Sequence, residues 1–92
     1  MLWWLIGGSR GGSNRLRIIQ TLQETPMNAN QLATELDLDY KTVRHHLSML
    51  EENRVLTTMG DGYGKTYFLS DEMEANLDVL DEVARKADLG DR

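Results

Sequence analysis

The stretch Asn28–Arg54, NANQLATELDLDYKTVRHHLSMLEENR, constrains this chain more than any other segment. Leu32, Ala33 and Leu36 share one side of a helical turn, and Val43, Leu47 and Leu50 follow at i, i+4, i+7. Asn28 or Asn30 before the first run, and Asp39 before the second, are side chains that cap helix starts. Leu38 lies between them as an apolar plug. The pattern predicts two short helices joined by a tight turn, with Ala33 small enough to let them cross closely.

On a helix turning about 100° per residue, with Val43 as zero, Leu47 falls near ~40° and Leu50 near ~−20°, which fixes the buried side. Arg44, Ser48, Lys41 and His45 fall between about 100° and about 200° and share the outer face. Tyr40, Thr42 and Asp39 occupy the start of the helix. His46, at about −60°, lies at the edge of the buried side, where a packed, hydrogen-bonded histidine is expected. His45 and His46 point about 100° apart and are poorly placed to grip one metal.

The flanking segments extend the pattern. The opening MLWWLI is too short for a bilayer span, which takes about 20 residues, and lacks the features of a signal peptide. Trp3 and Trp4 are expected to cover a core or a dimer seam. Gly7–Ser13, GGSRGGS, is linker-like and leads into a first helix capped by Ser13 or Asn14, striped by Leu16, Ile19 and Leu22, and ended by Pro26.

Val55–Met59 and Lys65–Leu69 alternate as strands around the glycine-rich turn 60–64, which predicts a β-hairpin. Its tip imitates a phosphate-binding loop, but Met59 stands where that loop needs its first glycine, and a strand follows where a helix should. Ser70 caps a last helix of about 18 residues, on which Met73, Leu77, Leu80, Ala84 and Ala87 repeat at coiled-coil-like spacing. The order helix, helix, helix, hairpin, helix predicts a mainly α chain with a small hairpin, a winged helix-turn-helix. It divides into an apolar segment and lead-in (1–12), the winged domain (13–70) and an acidic terminal helix (71–92).

Such a fold presents its outward helix, here about residues 39–53, to the major groove of double-stranded DNA, where Arg and Lys pair with guanine or hold phosphate. The wing, about 55–69, would place Lys65 and Tyr63 near the DNA backbone or minor groove. Arg10, Arg15 and Arg17 form a second basic group, of which Arg15 is counted with the DNA contacts. The net charge of −5 does not oppose this reading. Residues 1–70 hold seven basic and seven acidic side chains, and residues 71–92 hold three and eight. With no cysteine, thiolate metal sites and thiol switches are excluded from this chain. No pairing of nucleophile and base, no calcium loop and no His-Glu-x-x-His pattern points to an enzyme, and no cofactor is called for.

The residues Asn30-Gln-Leu-Ala33, Tyr40-Lys-Thr-Val-Arg-His-His-Leu47 and Leu50-Glu-Glu-Asn53 resemble archaeal and bacterial winged helix-turn-helix transcription regulators of the ArsR and MarR-like kind. The resemblance covers about residues 13–70. It implies a cytoplasmic homodimer whose third helices enter successive major grooves, with Lys41, Thr42, Arg44 and His45 reading bases or phosphates and the terminal helices forming the dimer seam. On this chain the seam would use Trp3, Trp4, Met73, Leu77, Leu80 and Ala84. Repression is the expected direction, for a chain this short offers no room for an activation domain; any effector is undefined. Family members usually carry glycine where Arg54 stands, so Asn53 is expected to take the left-handed conformation. The competing expectation is a winged-helix module that binds protein and no DNA.

Overall fold

The computed structural model describes residues 2–8 and 11–86, with all their side chains except those at positions 2, 3 and 63. The order is α1 (Leu2–Ile6), α2 (Gly12–Glu24), β1 (Met27–Asn28), α3 (Ala29–Leu36), α4 (Tyr40–Glu52), β2 (Leu56–Met59), a 3₁₀ turn (Gly62–Gly64), β3 (Thr66–Leu69), α5 (Asp71–Glu74) and α6 (Leu77–Lys86). The helix-turn-helix expected between Asn28 and Arg54 is α3 and α4, and the hairpin is β2 and β3. The whole is a winged helix-turn-helix.

The central helices begin where their caps direct. Asn28 Oδ1 accepts from the Gln31 amide at 2.8 Å while Gln31 Oε1 accepts from the Asn28 amide at 2.9 Å, a reciprocal capping box. Asp39 Oδ2 accepts from the Thr42 amide at 3.2 Å at the start of α4. Between the two helices Asp37 adopts φ 55°, and the Leu38 amide closes onto the Ala33 carbonyl at 3.0 Å. Val43, Leu47 and Leu50 are fully buried beneath α4.

Four expectations are corrected. The α2 helix starts at Gly12 behind Gly11 (φ 83°), with no side-chain cap from Ser13 or Asn14. A Cβ on Gly12 would stand 1.8 Å from the Ile6 carbonyl oxygen, so α2 begins in backbone contact with the end of α1. The glycines at 11 and 12 are a packing device and not a loose lead-in. A third strand, β1, pairs antiparallel with β3 (Met27 opposite Tyr67) and makes the sheet order β1-β3-β2. At two residues it is too short to show alternation.

The single last helix is in fact two. Ser70 Oγ accepts from the Met73 amide and caps α5. The chain then turns at Ala75–Asn76, where the Asn76 side chain donates to the Glu72 carbonyl and its own carbonyl accepts from Leu80. Finally, Met73, Leu80 and Ala84 are buried inside this one chain at 5%, 2% and 6% exposure, and Leu77 packs half-buried on the same core. Within this chain Met73, Leu80 and Ala84 are thus already covered, which leaves them little surface for a second copy. The α1 helix lies against α2 and α6, and its Leu5 and Ile6 are sealed in the core. Among the described side chains of α1 and α6, the exposed large apolar ones are Trp4 and Val79. The Trp3 side chain and Ala87 lie outside the described residues.

Candidate nucleic-acid interface

The outer face of α4 carries Lys41, Thr42, Arg44, His45 and Ser48, all exposed, with Tyr40 half-buried at its start. Arg44 Nη1 donates to Tyr40 Oη at 3.1 Å, and the guanidinium stands 5.9 Å from the Tyr40 ring centre. One turn apart on the helix, the two side chains form a unit in which the ring holds the cation at the surface. A guanidinium at this surface has the shape to meet a base edge or a phosphate.

The wing is arranged differently from expectation. Lys65 does not project from the tip. Its Nζ turns back onto Glu51 Oε1 at 3.5 Å and lies 5.5 Å from the Tyr67 ring centre. This binds the base of the wing to the last turn of α4 and offsets one positive charge. Tyr63 belongs to the 3₁₀ turn at the tip, and its side chain lies outside the described residues. Between α4 and the wing lies a cleft of about 370 Å³ lined by Asn30, Tyr40, Arg44, Gly62 and Lys65, among others. Sequence reasoning saw Asn30 only as a possible cap; its place on the cleft depends on the crossing of α3 and α4.

Arg15 must be withdrawn from the DNA face. It is 2% exposed. Its Nε donates to the Leu5 carbonyl at 2.6 Å and its Nη1 to His46 Nδ1 at 3.2 Å. The periodicity placed it near the start of α2 but could not show that α1 and α4 close over it. Arg17 stays exposed, with its guanidinium donating to the Leu36 carbonyl at 3.0 Å, and Arg10 lies outside the described residues.

His46, at 6% exposure, is the packed, hydrogen-bonded histidine expected. A guanidinium only donates, so Nδ1 accepts and the neutral ring carries its proton on Nε2. Burial, then the charge of Arg15, then His45 hold the His46 imidazole below its ordinary range. Burial likewise lowers the Arg15 guanidinium. No group of three metal-ligating side chains occurs among the described residues, and no described helix is long and apolar enough to cross a membrane.

Three helices, a helix-turn-helix with an outward cationic face and a β-wing define a winged-helix regulator. The sequence matches the family model "Bacterial regulatory protein, arsR family" over residues 12–58, and the chain belongs to that family. It is thus a DNA-binding transcription regulator, of a class whose members are in general not enzymes.

Among solved structures, reduced HlyU from Vibrio cholerae N16961 is 24% identical, with a TM-score of 0.62 over 77% of this chain and 73% of that one. The transcriptional regulator HlyU from Vibrio vulnificus CMCP6 is 25% identical, with a TM-score of 0.63 over 76% and 74%. A probable transcriptional regulator from Pseudomonas aeruginosa is 21% identical, with a TM-score of 0.74 over 95% and 68%. No curated protein sequence matches the chain.

Proposed function

We propose that two copies of this chain bind double-stranded DNA sequence-specifically, with α4 in the major groove and the wing along the backbone or minor groove, and thereby repress transcription. The observation that carries this reading is the division of α4. Its inner side is sealed by Val43, His46, Leu47 and Leu50, while its outer side exposes Lys41, Thr42, Arg44, His45 and Ser48. Repression needs no further part, because a body seated in the groove blocks other proteins from the same DNA. In a symmetric dimer two such helices stand about 34 Å apart and read half-sites about 10 bp apart. Trp4 and Val79, exposed on the packed α1 and α6, supply the apolar contact between copies.

Net acidity and the pairing of Lys65 with Glu51 favour a second reading, a module that binds protein and no DNA. Selection of bound fragments from genomic DNA, run with the wild type and with Lys41→Ala/Arg44→Ala, separates the two. Enrichment of a two-fold-symmetric site that the double variant loses, with affinity falling steeply as salt rises, is the expected result. No enrichment by a folded protein at any salt concentration would discard the DNA reading.

A further inference from the structure

We propose that Arg15 is a positioning residue for the DNA-contacting helix: through His46 it fixes how α4 sits on the body of the protein, and a proton taken up by His46 releases it. This rests on the reading of α4 as the helix that meets DNA. One guanidinium, anchored in the first turn of α2, touches both other elements of the junction. Its Nε reaches the Leu5 carbonyl at 2.6 Å, at the end of α1, where carbonyls have no partner within the helix and a cation is favoured. Its Nη1 reaches Nδ1 of His46, on the inner side of α4, at 3.2 Å.

The site is closed around the pair. Gly11 takes a left-handed φ of 83°, and a Cβ there would stand 2.8 Å from His46 Cε1 and 3.3 Å from Arg15 Nη1. The imidazole has little room to swing aside while α2 begins where it does. Bound in this way, α4 presents His45 and Arg44 outward because the neighbouring His46 is held inward.

A proton on Nδ1 removes the lone pair that Arg15 uses and sets a second positive charge beside the guanidinium. Among the described residues, the charged or titratable groups acting on His46 are Arg15, across the junction on α2, and His45 on its own helix. The sequence of α1, LWWLI, contributes no titratable side chain. Since the folded protein favours the neutral ring, the contribution of this contact to stability is full above the ordinary imidazole value of 6.5 and is lost as pH falls below it.

The test is histidine and backbone-amide NMR of the full chain between about pH 8 and about pH 5, with affinity for the selected DNA fragment measured in parallel. In His46→Asn a side-chain oxygen takes the place of Nδ1, accepts from Arg15 and cannot gain a proton. The wild type should show the Nε2–H tautomer at His46, α4 amides that shift with its titration, and affinity falling towards acid by up to about tenfold per pH unit, the slope for one proton. His46→Asn should hold its affinity. A His46 ring protonated on Nδ1, or a parallel acid loss in wild type and His46→Asn, would overturn the proposal. If no variant binds DNA at any pH, the reading of α4 as a DNA helix fails. The NMR then decides the contact alone: α4 amides that follow pH in the wild type but not in His46→Asn uphold it, and amides that follow pH equally in both sink it.

Discussion

The two sides of α4 use the same residue types to opposite ends. On the inner side an arginine and a histidine, Arg15 and His46, are sealed together and bonded to fixed acceptors. On the outer side Arg44 and His45 lie at the surface, and Arg44 leans on a tyrosine of its own helix. A buried cation must spend its donors on groups that the fold supplies, since water is not there to take them. A surface cation stands where a partner can reach it. The difference teaches that charge and residue type do not assign a role; enclosure does. It also lets each side be broken alone.

The same contrast of sealed and open positions, carried to α6, gives the largest expected effect. Leu80 is 2% exposed and its neighbour Val79 is 39% exposed. Leu80→Asp sets a carboxylate in the core without a partner and should cost about 4 kcal/mol or more, a large part of what a domain this small possesses. Val79→Asp should leave the fold intact and weaken self-association. Circular dichroism melts read the first and light scattering the second. A well-folded Leu80→Asp that only becomes monomeric would place the seam on the Met73–Ala84 stripe after all.

Next in size is the pair of arginines on either side of α4, Arg15 beneath it and Arg44 on its outer face. Arg15→Ala takes the donor from the Leu5 carbonyl and from His46, and hydrogen bonds to charged groups contribute about 1.5–3 kcal/mol each, so a loss of about 3 kcal/mol is expected. Arg44→Ala should change stability by no more than about 0.5 kcal/mol but weaken specific DNA binding by about 1–3 kcal/mol. Denaturant melts beside binding isotherms give all three quantities. Equal loss on the selected site and on random DNA would make Arg44 a phosphate contact. A stable Arg15→Ala would remove the distinction between the two sides.

What was legible in the sequence follows the range of the interactions. The caps Asn28–Gln31 and Asp39–Thr42 join residues three apart, and the faces of α4 follow from its period, so the helix-turn-helix and its outward residues could be read directly. Arg15 could not. Its acceptors lie 10 and 31 residues away, and a solvated arginine at a helix start has the same sequence. Lys65 misled for the same reason, its partner Glu51 being 14 residues distant. The stripe from Met73 to Ala84 reported correctly that it is covered, but not that α1 and the body of the chain cover it. The turn at Asn76 left no signal stronger than the continuing helical pattern on either side.

The smallest expected effect falls at the carboxyl end of α4, where the resemblance put glycine. Asn53 stays at φ −94° and spends its side chain on the Met49 carbonyl, so it is not the left-handed residue. Arg54 is, at φ 63°. The Arg54 amide donates to Glu51 and the Val55 amide to Leu50, the paired closure that ends a helix through one left-handed residue. A side chain in that conformation costs about 1–2 kcal/mol, part of which glycine recovers and part of which it loses to chain entropy. Arg54→Gly should therefore stabilise the protein by about 0.5–1 kcal/mol and raise Tm by about 4 °C. Because Arg54 lies at the end of the helix and not on its outer face, specific DNA binding should change far less than in Arg44→Ala. An unchanged or lower Tm would mean that the cation at the end of α4 offsets its own strain by complementing the helix dipole. A loss of binding as large as that of Arg44→Ala would extend the open side of the helix to its last turn.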